Sequence, residues 1–186
     1  MNQMDLYEVV EKAQHNAIDL NIQYWIEHSV FTFQWWLLII VFIGPWIIWW
    51  RLVDKKRLVE ISLFGFILMI AVVLLDDLGV SLKLWSYPIQ IIPMIPRLVA
   101  IDQGIIIVAH MLVFQYCLRW RSFLIVNIIM AIVFSYIAEP ITVWLSIYKL
   151  TNWKYSYSLP IYVLKAVLIR LAVEKAFTIS KKASSK

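Results

Sequence analysis

The chain has 186 residues, 62% hydrophobic and 16% charged, with a formal net charge of +5 and a mean hydropathy of +0.78. A soluble domain is about 45–50% apolar and about 25% charged, so a single water-surrounded core is excluded and the solvent is lipid. The basic residues fall between apolar blocks, where membrane orientation accounts for them better than a nucleic-acid partner does.

Residues 1–30 read as an N-terminal amphipathic extracellular segment. Leu6, Val10, Ala13, Ala17, Leu20 and Tyr24 step by three or four. Such a helix is expected to lie on the outer membrane surface or to cap the bundle. It lacks the basic start and apolar core of a signal peptide.

Residues 31–177 read as one transmembrane domain with spans at about 31–50, 58–75, 98–118, 123–145 and 159–177. Each is near the roughly 20 residues that cross a hydrocarbon core. The fifth is the least regular, because Lys165, Arg170 and Glu174 interrupt it. Residues 178–186 read as a basic cytoplasmic tail. The fold class expected is therefore an all-α integral membrane protein, a bundle of five transmembrane helices.

Charge bias orients the bundle. With five spans, Arg51, Lys55, Lys56, Arg57, Arg119, Arg121, Lys175, Lys181, Lys182 and Lys186 share one side, against Lys12, Lys83, Arg97, Lys149 and Lys154 on the other. The positive-inside rule puts the N-terminus outside a bacterial cell membrane and the C-terminus in the cytoplasm. The N-terminal acids Asp5, Glu8, Glu11, Asp19 and Glu27 agree. The ten tryptophans fall near span ends and read as an aromatic belt at both interfaces.

Asp76, Asp77, Asp102 and Glu139 lie at or inside the ends of apolar blocks. A carboxylate in that position costs a few kcal/mol on insertion scales and calls for a partner, a wet cavity or a function. At 1.5 Å per helical residue, Asp76 lies roughly 27 Å and Glu139 roughly 24 Å above the cytoplasmic edge. Asp102 lies about one turn below the outer start of its span, and Lys165 about 9 Å below its own. All fall in the outer third of the membrane, with Arg97 just above. The plainer alternative is that these acids pair with Lys165 or Arg97 and fix helix register. His110, deeper and alone, reads as a core histidine bonded to a carbonyl.

Segment 85–97, WSYPIQIIPMIPR, holds Pro88, Pro93 and Pro96. Three missing donors preclude a continuous helix. The segment is apolar, so it is expected to be a re-entrant or surface-lying lid over the acidic level. Pro140 cannot donate to the Tyr136 carbonyl, which predicts a kink beside Glu139. The chain contains no Gly-rich phosphate loop, HExxH or GxSxG motif. Its four glycines leave GxxxG packing unavailable. A single cysteine, Cys117, excludes an internal disulfide and a cysteine-rich metal site. No cofactor and no metal site are expected.

Longer matches carry a family resemblance over about residues 34–175. The motifs are QWWLLII, PWIIWWRLVDKKR, LLDDLGV, LWSYP, IPMIPRLVAID, FQYCLRWRSF and EPITVWLSIYKLTNWKYSYSLPIY. With these the chain resembles a family of small multi-pass membrane proteins of spore-forming Firmicutes, bacilli and clostridia. The resemblance implies a specialised membrane role and no assigned activity. Family members commonly carry proline where Ala100 stands and tyrosine where His110 stands, which speaks against an essential His110.

Three function classes follow. In the first, an outer-leaflet cavity binds or transports a small molecule or cation through Asp76, Asp77, Asp102, Glu139, Lys165 and Arg97. In the second, a carboxylic acid acts on a lipid or isoprenoid, with Trp85, Tyr87, Trp144 and Tyr148 stabilising a cation by their ring faces. In the third, the charges pair with a partner in a membrane complex. The first ranks highest, since no catalytic dyad of defined spacing is present. The partners expected are membrane lipids, a small-molecule or lipid ligand and a second copy of the chain.

Overall fold

A computed structural model describes residues 2–95 and 98–184. Helices α1 (Gln3–His28), α2 (Phe33–Leu52) and α3 (Leu58–Ser81) are followed by strand β1 (Trp85–Ser86). A π-helical turn, π1 (Ile101–Ile106), leads into α4 (Ile107–Tyr116). Helix α5 (Trp120–Val133) continues through a second π-turn, π2 (Phe134–Ala138), into α6 (Glu139–Trp144). Strand β2 (Lys149–Leu150) and helix α7 (Tyr155–Ser184) complete the chain.

Among the described residues, four helical units are long and apolar enough to cross a membrane: Phe33–Leu52, Lys55–Ser81, Trp120–Trp144 and Tyr155–Ser180. Ile101–Tyr116 is a shorter apolar helix. These mark an all-α membrane protein whose described strands form one two-residue ribbon, with Trp85 opposite Leu150 and Ser86 opposite Lys149.

Two helix boundaries differ from those the charges suggest. Helix α3 runs to Ser81, so Asp76 and Asp77 sit inside a helix rather than at its end. Helix α7 runs from Tyr155 to Ser184, so the described part of the basic tail is helical. In neither place does a glycine or proline stop the helix; charge alone does not. Helix α3 ends instead at Lys83, which adopts φ 56°. There Leu84 N–H donates to the Gly79 carbonyl and Lys83 N–H to that of Val80, the paired bonds of a Schellman cap. Helix α6 ends the same way at Ser146 (φ 57°), with Ile147 N–H on Thr142 O and Ser146 N–H on Val143 O. These two caps turn the chain into β1 and β2.

The main core lies between α3, α4, α5 and α7, where Phe64 stacks on Phe114 at 4.4 Å beside Leu68, Ile107, Met111 and Phe123. A smaller cluster, Leu38, Ile89, Leu98, Ala100 and Ile147, seats the proline-rich segment on α2 and π1. Pro45 inside α2 cannot donate to the Val41 carbonyl. Gly104 packs on that carbonyl, where a Cβ would come within 2.7 Å of the oxygen. Trp46 Nε1 donates to the Gln103 carbonyl at 2.9 Å beside it. Isolated glycines thus achieve the close helix approach that a GxxxG repeat would otherwise supply.

At the opposite end, Arg170 is 3% exposed. Its Nη1 and Nη2 donate to the carbonyls of Cys117 (2.8 Å) and Leu118 (2.6 Å), and its Nε to Glu174 Oε1 at 2.7 Å. Arg57 Nη1 donates to the Gln115 carbonyl at 3.2 Å. Two arginines thereby satisfy carbonyls in the last turn of α4 and just after it, where a helix C-terminus favours positive charge. Two of the charges that interrupt the last span, Arg170 and Glu174, are thus paired with each other.

Helix α1 buries none of its residues. Its predicted apolar stripe, including Leu6, Val10, Leu20 and Tyr24, is exposed. Only its C-terminal turns are held. Asn21 Nδ2 donates to the Pro93 carbonyl at 2.7 Å and Trp25 Nε1 to the Gln90 carbonyl at 2.9 Å. Just beyond α1, Ser29 Oγ donates to Pro88 O and, from α2, Trp35 Nε1 to Ile91 O. Residues 87–95 are not helical, and these four side chains supply donors to a backbone with little internal bonding, such as Ile95 N–H on the Ile92 carbonyl at 3.4 Å.

Candidate functional site

Helices α2, α3, α6 and α7, the turns π1 and π2 and the strand ribbon enclose a chamber of about 560 Å³. That volume lies within the roughly 300–1,000 Å³ usual for small-molecule sites. Most of its wall is aliphatic, and Asp76, Asp102, Glu139 and Lys165 all line it. Of the other sequence candidates, Trp85, Tyr87 and Tyr148 line it too. Asp77 does not, because it follows Asp76 by one helical step and turns to another face. Trp144 is also outside the wall and 80% exposed, so its proposed role beside a ligand is corrected. Arg97 lies outside the described residues. His110 is buried, with Nδ1 2.7 Å from the Ile106 carbonyl, as expected of a core histidine, and it is not part of the wall.

Asp76 is positioned by the buried stripe Val72, Asp76 and Gly79 of α3. Its Oδ1 accepts from Trp85 Nε1 at 2.9 Å and from the Tyr87 hydroxyl. Trp85 reaches it only because residue 79 is glycine: a Cβ there would overlap the indole ring. Tyr87 stacks on Tyr148 at 5.5 Å, and Trp85 meets Trp153 edge-on at 5.0 Å. These rings, carried by the ribbon and the residues after it, form one wall of the chamber. Burial first, then the charges of Asp102 and Asp76, push the Tyr87 phenol well above its ordinary pKa, so it remains a neutral donor.

Glu139 follows π2 directly. Its N–H bonds back to the Phe134 carbonyl, five residues earlier. The kink expected at Pro140 therefore takes the form of a π-turn. The carboxylate accepts from Ser158 Oγ at 3.1 Å and from the Tyr162 hydroxyl at 3.2 Å. Trp153 Nε1 donates in turn to Ser158 Oγ at 2.9 Å. Lys165 Nζ lies 4.3 Å from the centre of the Tyr162 ring, and among the described residues it forms no ion pair. Glu139 is thus held by two neutral hydroxyls, and a carboxylate offers about four acceptor positions.

Ser158, Tyr162 and Trp153 are site residues that the sequence reading missed. A signal existed. Ser158, Tyr162 and Lys165 stand at i, i+4 and i+7, a polar stripe on an otherwise apolar helix. The indole N–H groups of Trp25, Trp35, Trp46, Trp85, Trp120 and Trp153 all donate to defined protein acceptors. Interface depth alone therefore does not account for these six. No family profile matches the chain, and neither the curated proteins nor the solved structures include a significant match.

Proposed function

We propose that this is a five-span protein of the bacterial cell membrane whose outer chamber binds, or carries across, a small molecule bearing a positive charge. The observation that carries this reading is the convergence of Asp76, Asp102 and Glu139, from three separate helical segments, on one chamber. Glu139 is the principal acceptor: among the described residues its side-chain hydrogen bonds come from neutral hydroxyls, and the three acids outnumber Lys165, the one described cation in the wall. Aromatic faces from Trp85, Tyr148 and Trp153 add attraction for a cation.

The span that completes the five, third in chain order, is Ile101–Tyr116 together with the helical Val99 and Ala100. At 1.5 Å per residue it measures about 27 Å, close to a hydrocarbon core. Segment 87–95 covers its outer end as a surface or re-entrant element. The end bearing Arg57 and Arg170 is cytoplasmic, and the N-terminus is outside. The likeness to the Firmicutes family belongs to this proposal and rests on the sequence motifs.

Two measurements test it. A cysteine replacing Lys182 should be labelled only after the membrane is permeabilised; labelling from outside would reverse the orientation. Purified protein should be thermally stabilised by small organic ammonium ions such as tetraethylammonium. Glu139→Gln, which keeps shape and removes charge, should insert normally and lose that stabilisation. Equal stabilisation of both proteins, or of neither, would refute the cation reading.

A further inference from the structure

Among the described residues, the chamber wall is exposed at five: Leu75, Leu78 and Leu82 on and just after α3, Ile105 on π1 and Ile141 on α6. All five are aliphatic. The three leucines step by three and four and so form one stripe. The charged wall residues Asp76, Asp102, Glu139 and Lys165, and the hydroxyl-bearing ones such as Ser158 and Tyr162, are all buried or half-buried.

This order is the reverse of what a hydrated ion needs. A cation arriving from water would shed its hydration against leucine and isoleucine before meeting any acceptor, and uncompensated desolvation of charge is costly. Leu75, Ile105 and Ile141 lie within the apolar helices, which the proposed topology surrounds with hydrocarbon, and Leu78 lies at its outer edge. To a molecule already dissolved in that medium the same rim offers no barrier. Beyond it the apolar wall matches a chain or ring system, and the buried acids match a single polar end.

We propose that the chamber is loaded sideways from the lipid phase, and that its ligand is a membrane-dissolved amphiphilic amine. Its ammonium group sits at Glu139 beside Tyr162, and its apolar body lies along the aliphatic wall. This rests on the cation reading above and adds the route and the ligand class. An amphiphilic carboxylate of the same length is disfavoured by the acids. A short amine such as tetraethylammonium still meets Glu139 but binds more weakly, because it lacks the body that fills the wall.

The test uses the full chain in lipid nanodiscs. The probes are a long-chain alkylamine with a photoreactive diazirine in its chain, the carboxylate of equal length, and tetraethylammonium. Crosslinks are mapped by mass spectrometry. The amine should label chamber-wall peptides from α3 and α6, at least roughly tenfold less in Glu139→Gln, the loss expected for one charge-assisted hydrogen bond. The carboxylate should label weakly. Ile105→Trp, which narrows the rim without touching an acid, should lower amine labelling even if Glu139→Gln proves unstable.

Equal labelling by amine and carboxylate, unchanged in Glu139→Gln, would overturn the proposal in favour of unspecific lipid contact. Glu139-dependent stabilisation by tetraethylammonium without amine labelling would overturn the lipid route alone and leave the cation reading standing. If neither probe binds, both fall.

Discussion

Gly79 offers the sharpest test of how the acidic wall is assembled. In an ordinary helix interior, alanine is favoured over glycine by about 0.8–1.0 kcal/mol. At position 79 the added methyl would overlap the Trp85 indole, whose N–H bonds to Asp76 at 2.9 Å. Trp85 must move, and it is tethered by β1 and packed on Trp153. Overpacking of this kind costs about 1–3 kcal/mol. Loss of a hydrogen bond to a charged group costs about 1.5–3 kcal/mol. Set against the helix-propensity gain, Gly79→Ala is expected to destabilise the protein by about 1.5–5 kcal/mol. Gly44→Ala is the control, because nothing lies within 4 Å of its added Cβ. It should be neutral or stabilising by up to about 1 kcal/mol. Both variants can be followed by thermal unfolding in mild detergent, read by circular dichroism and tryptophan fluorescence. If Gly79→Ala behaves like Gly44→Ala, Trp85 is not seated against α3 and the described wall is wrong.

Arg170→Met should lower stability by about 2–4 kcal/mol, since it leaves two carbonyls without their donor and Glu174, partly exposed, with only the Trp120 indole. Glu174→Gln should lower it less, because Arg170 retains both carbonyls; equal losses in the same unfolding assay would contradict that. Combining Asn21→Ala with Trp25→Phe should raise hydrogen exchange in the last turns of α1 while leaving the core around Phe64 protected. Unchanged exchange in α1 would show that the two side chains do not hold it. Lys83→Gly and Ser146→Gly should each raise stability by about 1 kcal/mol, because both positions hold a left-handed backbone angle that L-residues disfavour.

Composition and charge made the membrane class legible, and hydropathy made most helices legible. Helix ends were not. Lys83 and Ser146 terminate α3 and α6 in a conformation usually signalled by glycine, so neither left a mark in the sequence. The charge at Asp76 suggests the end of an apolar span, yet Asp76 continues a buried helical stripe. The shared depth of Asp76, Asp102, Glu139 and Lys165 was readable from residue counts, whereas their directions were not. Asp77 shows why: one residue away from Asp76 at the same depth, it belongs to another face. Trp144 was read by depth alone and points outward. The neutral donors around Glu139 come from Ser158 and Tyr162, nineteen and twenty-three residues away. No local pattern pairs them with the acid.

The two π-turns explain how ordinary helices come to aim polar groups at one chamber. Each contributes wall residues, Asp102 within π1 and Phe134 and Ala138 within π2, with Glu139 next in line. A π-turn bonds i to i+5 and so carries one residue more than an α-helical turn, which rotates all that follows by about 100°. Deleting Ile137, which is 53% exposed and leaves no core hole, should return the segment to α-helical register. Glu139 would then turn away from Ser158 and Tyr162, while α5 lies upstream of the change and should keep its packing on α7. The rotated stretch is short, since α6 ends at Trp144. The expected outcome is a protein that inserts and unfolds cooperatively but is no longer stabilised by tetraethylammonium. Stabilisation as strong as in the unaltered chain would mean that the direction of Glu139, and hence the π-turn, has no part in binding.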